Sequence, residues 1–286
     1  MIKYEWRTDL SAPEADELAD LLHRASVYDA EPGYSTIDFE SVLQAMSSKD
    51  SRDRHLLIWM LPHPTALDQP DVPERIAGLV RLRHLGDGHA DGTAVIDPNL
   101  RSIGIMTLLT ERLGLDTTGP SGWLGTGAHT ISCWARGNHP AAGRLSNRFL
   151  VPRIRQVWQL IRGTEPDPDL AGAPVLEPLQ TTDALTRYAL REAGRIVAAA
   201  SLNTRTVDSE EFGLCGVVSD IDTPPSAPAG ALRRFLCGIG VVARDAGRTG
   251  VVINVDSDEL PVVQAARLAG FHHDRTDVRY QLGGIP

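Results

Sequence analysis

The chain carries the same ending twice, and a repeat of that length restricts it to two related domains in tandem. The first copy reads Asp97-Pro98-Asn99-Leu100-Arg101-Ser102-Ile103-Gly104-Ile105, then an apolar helical stretch. Thr130-Ile131-Ser132-Cys133-Trp134-Ala135-Arg136 and Arg155-Gln156-Val157-Trp158-Gln159-Leu160 follow. The second reads Asp222-Thr223-Pro224-Pro225, an apolar helical stretch, then Val251-Val252-Ile253-Asn254-Val255-Asp256. Leu268-Ala269-Gly270-Phe271 and Arg279-Tyr280-Gln281-Leu282 close it. Each copy runs strand, turn, helix, strand, short helix, strand. The turn ahead of the long helix is the place for an anion, because the first amides of a helix have no partner of their own.

The bulk properties agree with this. A length of 286 residues suits two domains, and 42% hydrophobic residues suffice for two cores. The net charge of −9 argues against a broad nucleic-acid surface, which needs many Lys and Arg against phosphates. Cys133, Cys215 and Cys237 have no metal-ligand spacing, and the first two are expected as small buried groups in strands. His272-His273-Asp274 resembles a metal cluster only superficially, since neighbouring strand residues face opposite ways. No metal, membrane or nucleic-acid partner is expected. The charged start Met1-Ile2-Lys3-Tyr4-Glu5-Trp6-Arg7 lacks the apolar core of a signal peptide, so a cytoplasmic location is expected.

In the first half, periodicity predicts helices over 13–26 and 38–47. Ser11 and Glu14 are set to form a capping box on the first. Strands are predicted over 55–61 and 75–84, with a Pro- and Asp-rich loop at 62–73, a turn at 86–92 and a short strand at 93–96. A helix over 105–115, a strand over 130–136, a helix over 141–149 and a strand over 153–161 follow. Trp59, Trp134 and Trp158 fall in strands and are expected in the core. The run 163–174, rich in Pro, Gly and acidic residues, reads as a linker. After it come a hairpin, 187–192 with 195–203, and a strand over 212–221. The expected domains are 1–163 and 175–286, joined by 164–174. Too little chain lies between 175 and the hairpin for two helices, so the second domain is expected to be trimmed.

Arg101-Ser102-Ile103-Gly104-Ile105-Met106 resembles the acyl-CoA-binding signature of the GNAT superfamily of N-acetyltransferases, (Gln/Arg)-x-x-Gly-x-(Gly/Ala). Val95-Ile96 precede it as the end of a strand, and the closing Leu-Ala-Gly-Phe and final strand also look like that family. The resemblance implies an α/β fold: tandem GNAT domains with mixed, largely antiparallel sheets, the second one trimmed. It implies an acetyl-CoA-dependent transfer to a small amine acceptor. Val95, Ile96, Arg101, Ser102, Ile103, Gly104, Ile105 and Met106 would hold the coenzyme, and Glu40 would meet the substrate. A monomer with an internal pseudo-dimer would result.

The departures from the signature open an alternative, a catalytically silent acyl-CoA-binding or scaffold protein. Met106 stands where the family has Gly or Ala and is expected to put a side chain against the phosphate. The family's tyrosine position falls on Leu145 in the first half and Ala266 in the second. The second loop, Ser226-Ala227-Pro228-Ala229-Gly230-Ala231, has lost the leading Gln or Arg, and Pro228 removes a backbone donor. The family's acidic strand residue falls near Cys215. The catalytic residues stay unassigned at this stage.

Overall fold

The computed structural model describes residues 1–48, 51–61, 74–182 and 185–284; the expected loop at 62–73 lies outside the described residues. Contacts group residues 1–155 with the chain from 277 onward as unit 1, and 156–276 as unit 2.

Unit 1 runs β1 (Ile2–Arg7), α1 (Ala12–Ala30), α2 (Phe39–Ser47), β2 (Asp53–Met60), β3 (Arg75–Gly86), β4 (His89–Ile96), α3 (Ile105–Leu113), β5 (Thr130–Ala135) and α4 (Pro140–Phe149). β6 (Arg153–Gly163) begins in unit 1 and lies mostly in unit 2. There it is followed by α5 (Pro168–Ala171), β7 (Glu177–Thr182), β8 (Leu185–Glu192), β9 (Arg195–Ser209), β10 (Gly213–Asp222), α6 (Ala231–Asp245), β11 (Gly250–Asp256) and α7 (Leu260–Leu268). The last strand, β12 (His272–Gly283), ends in unit 1.

The unit 1 sheet has the order β1-β2-β3-β4-β5-β12, antiparallel except for β4 with β5. The unit 2 sheet has the order β6-β11-β10-β9-β8-β7, antiparallel except for β10 with β11. Each unit is thus a mixed, largely antiparallel α/β layer. These contacts divide the chain elsewhere than at the expected 163–175 boundary. The strand beside β5 comes from the far end of the chain, and the strand beside β11 comes from β6.

Strand alternation decides which helix covers which face. On β2, Leu57 and Trp59 turn to α1 and α2, whereas Leu56 and Ile58 turn to the face that α3 covers with Ile105 and Leu109. α1 buries Leu18, Leu21, Leu22 and Ala25, the spacing of one helical stripe. Its start is fixed as expected: the Glu14 carboxylate accepts from the Ser11 amide at 2.9 Å and hydroxyl at 2.7 Å. Those bonds hold the Glu14 pKa down at about 2.

Unit 2 is built around α6, whose Leu232, Phe235, Leu236 and Ile239 are buried against β8–β11. Full burial of a side chain like Phe235 contributes about 2–3 kcal/mol. β7 ends at Thr182 and β8 starts at Leu185, so no counterparts of α1 and α2 fit between them. The second unit is trimmed as expected. The run 163–174, however, is packed rather than a bare linker. Thr164 bonds the 248–249 turn through both amide and hydroxyl, and Leu170 of α5 is buried in the space left by Gly240. Its Pro and acidic residues misled the sequence reading, because Asp167 and Pro168 cap a short helix rather than keep the chain open. Among the described residues no helix is long and apolar enough to cross a membrane.

Candidate functional site

β4 and β5 run parallel and stay in register only from His89–Thr130 to Gly92–Cys133. Beyond Gly92, β4 keeps β3 on one side, up to the Gly78–Ile96 pair, and has no register partner on the other. Val95 is buried under α1 and Ile96 packs on the α3 face. Asp97 is fully buried at the strand's end, where it accepts from the Asn99 amide at 2.9 Å and from Arg24 at 2.7 Å. The chain then turns through Ser102 (φ 67°) and Gly104 (φ 88°, ψ 16°), the residue that caps α3. A left-handed cap costs glycine nothing, and nothing lies within 4 Å of where a Gly104 Cβ would stand. The first helical bond runs from the Leu108 amide to the Gly104 carbonyl at 2.9 Å. The amides of Ile105, Met106 and Thr107 find no acceptor among the described residues. Ser102, Ile103 and Gly104 are exposed beside them.

Two expectations for this corner change. Arg101 does not reach outward. Its guanidinium grips the buried Asp29 carboxylate with two bonds, 2.5 and 2.7 Å, its Nε donates to the Ile96 carbonyl at 3.1 Å, and it lies over the Tyr28 ring. It ties the end of α1 to the turn, a role that a local six-residue signature cannot reveal. Met106 packs into the apolar cluster between α3 and β1–β3, so its side chain does not stand against the turn.

On the α1–α2 side of the same strands lies a cleft of about 370 Å³. The loop 34–36 forms one wall; Asp91, Gly92 and Thr93 of β4, Ser132 and Trp134 of β5, and Arg136 form the rest. The Ser35 hydroxyl fixes the loop by donating to the Trp134 carbonyl at 3.0 Å. The Trp134 ring is surrounded by the guanidiniums of Arg136 (4.5 Å), Arg279 (5.7 Å) and Arg155 (5.9 Å). Arg136 bonds Asp277 at 2.6 Å and Arg279 bonds Asp91 at 3.2 Å. His139, at the start of α4, packs on the Tyr34 ring. Burial lowers its pKa, and its Nδ1 accepts from the Ala141 amide at 3.1 Å. A neutral ring that accepts at Nδ1 carries its proton on Nε2, so His139 is a donor there and has no free basic nitrogen. On the opposite face, Tyr280 of β12 stands in register with Cys133, and its hydroxyl lies 3.7 Å from the Cβ position of Gly143 on α4.

Unit 2 repeats the corner. β10 and β11 are paired only from Cys215–Gly250 to Val218–Ile253, and α6 is capped by Gly230 at φ 76°, ψ 3°. Its register with β9 slips between Ser219 and Asp222, and Asp220 sits there at φ 51°. Pro228 keeps its place in the turn, its carbonyl accepting from the Ala231 amide at 3.0 Å.

The residues expected to hold a coenzyme, Val95, Ile96 and 101–106, run from the end of β4 through the turn into α3, whereas no feature of the sequence pointed to the cleft. Asp91 was hidden because 86–92 reads as a turn, whereas β4 already begins at His89. Trp134, expected in the core, is half-buried and lines the cleft, because β4 no longer covers β5 there. Cys133, expected buried, is exposed, whereas Cys215 is buried as expected. Glu40 is exposed in the first turn of α2 and is not among the cleft residues. His272, His273 and Asp274 go separate ways, to Glu211, Thr276 and Gln159. In unit 2, Asp220 and Asp222 lie at the end of β10 where Cys215 alone was anticipated.

No family model matches the chain. It is 25% identical to a mycothiol acetyltransferase of Pseudarthrobacter chlorophenolicus, over 91% of this chain and 90% of that protein. It is 28% identical to the mycothiol acetyltransferase of Paenarthrobacter aurescens over 55% of this chain, a match that takes in 45% of that protein. Among solved structures, a tandem GNAT protein from the clavulanic acid biosynthesis pathway superposes with a TM-score of 0.56 at 13% identity, covering 100% of this chain and 99% of the other. That likeness establishes the fold.

Proposed function

We propose that this chain, with the fold of the tandem GNAT proteins, is an acetyl-CoA-dependent N-acetyltransferase of a small amine, and that unit 1 carries out the transfer. The observation that carries this is the corner at α3. Three amides without acceptors stand below an open left-handed glycine, where two parallel strands part. Such a helix start favours a pyrophosphate. The unpaired edge of β4 past Gly92 offers backbone groups to an extended pantetheine arm, in the way a sheet edge takes an added strand.

The acceptor enters from the other face, through the cleft between the loop 34–36 and the strands. Asp91 draws in the ammonium end, which releases one proton to solvent, and the resulting neutral amine attacks the thioester carbonyl where the strands part, forming the C–N bond. The C–S bond then breaks, the nitrogen releases its second proton to solvent, and the departing thiolate takes a proton from a phenol that solvent re-protonates. Tyr280, on the α4 side, is the phenol assigned to that last step. Positioning two reactants in this way supplies much of the acceleration an aminolysis needs. A mycothiol-related acceptor is suggested by the names of the relatives alone.

The test is release of free CoA from acetyl-CoA with and without an amine panel. Amine-dependent release, with Tyr280→Phe lowering kcat more than it changes KM for acetyl-CoA, is the expected result. Acetyl-CoA binding without amine-dependent release contradicts the transferase and leaves a silent acyl-CoA-binding protein.

A further inference from the structure

Taking the cleft as the acceptor side of that transferase, we propose that the acceptor bears an anionic group, a carboxylate or phosphate, besides its amine, and that Arg136 receives it. The chain as a whole is acidic, with a net charge of −9, so a generic field would repel anions. Arg136 stands on the cleft wall against that background, its guanidinium 4.5 Å from the centre of the Trp134 ring.

The lining itself has two charged side chains, and they are of opposite sign. Asp91 lies one residue before Gly92, the last position at which β4 and β5 are paired. An ammonium drawn to it therefore sits at the opening where the thioester would arrive. Arg136 follows β5 and is about half exposed. Asp277 is bonded to one nitrogen of its fork, and a guanidinium has five donors in all. Planar anions match the remainder of the fork. The other polar walls are hydroxyls of Ser35, Thr36, Thr93 and Ser132, which discriminate against neither sign. A volume of about 370 Å³ suits a small molecule that spans from Asp91 to Arg136 across the Trp134 ring.

The experiment compares matched acceptors on the unaltered full chain: glucosamine 6-phosphate with glucosamine, phosphoethanolamine with ethanolamine, and 4-aminobutyrate with 4-aminobutanamide. In at least one pair the anionic member is expected to show kcat/KM roughly tenfold or more above the neutral one, as a charge-assisted bond at the binding step implies. Arg136→Gln is expected to bring that ratio close to one while KM for acetyl-CoA stays unchanged. Neutral members acetylated as well as, or better than, the anionic ones overturn the proposal and leave the transferase standing. A ratio that survives in Arg136→Gln overturns the role of Arg136. No turnover of any member, with acetyl-CoA bound, overturns the transferase reading and this inference with it.

Discussion

Units 1 and 2 build the same corner from unlike loops. In unit 1 the turn is Arg101-Ser102-Ile103-Gly104; in unit 2 it is Pro228-Ala229-Gly230, with no arginine ahead of it. Both glycines nevertheless cap their helices in the left-handed region, at φ 88° and 76°, and both corners follow a parallel strand pair that opens. The corner is thus a property of the backbone path. The arginine is needed where α1 exists, because its carboxylate partner Asp29 is on α1. Unit 2 has no α1, and its loop dispenses with the arginine. What separates the units structurally is the wall that α1, α2 and the loop 34–36 raise over the strands of unit 1.

The largest difference between the units should emerge in acid. His55 in unit 1 is 2% exposed, and its Nε2 has no partner among the described residues. Burial pushes its pKa down to about 4. Above about 6.5 the ring is neutral in both the folded and unfolded chain, and this stability is fully present. As pH falls from there toward 4, the unfolded chain gains a proton that the fold refuses, and up to about 3 kcal/mol is lost. The histidines of unit 2, His272 and His273, are exposed, so no buried imidazole stands among the described residues of that unit. Denaturant unfolding at pH 7 and pH 4.5, followed by hydrogen exchange in each unit, should show unit 1 weakened selectively. His55→Gln should flatten the pH dependence, and equal loss in both units would break the contrast.

A smaller effect is expected from Asp29→Asn. It leaves Arg101 half-buried without its counter-charge, which costs about 2 kcal/mol and frees the turn ahead of α3. Calorimetry should register weaker acetyl-CoA binding alongside a lower denaturation midpoint. Undiminished binding would mean that the turn needs no tether, as in unit 2.

The smallest and sharpest contrast comes from paired substitutions of the capping glycines. Gly104→Asp places a carboxylate beside the free amides of α3 and forces a side chain into the left-handed region, so binding should weaken about tenfold, or ~1.4 kcal/mol. Gly230→Asp should leave acetyl-CoA affinity where it was. The reverse result would move the donor to unit 2.

Much of this was legible in the residues. The repeat, the trimming of the second half, the capping box at Ser11 and the inward face of α6 depend on local spacing, and local spacing is written in order along the chain. The tie between Arg101 and Asp29 spans 72 positions, and the closing strand of unit 1 arrives from residue 277 onward. No window of sequence contains either. Asp91 was lost for a different reason: the glycines at 86, 88 and 92 imitate a turn, whereas Gly92 packs in the strand close to Cys133 Sγ and Ile131. The cleft was therefore the least visible part.

The most direct measurement is a crystal of the full chain grown with acetyl-CoA. The account predicts pyrophosphate density at the amides of Ile105, Met106 and Thr107, with the arm passing along β4 beyond Gly92 and the thioester facing the Asp91 side. Density at the Pro228–Ala231 turn and none at Gly104 would contradict it, and would return the chemistry to unit 2.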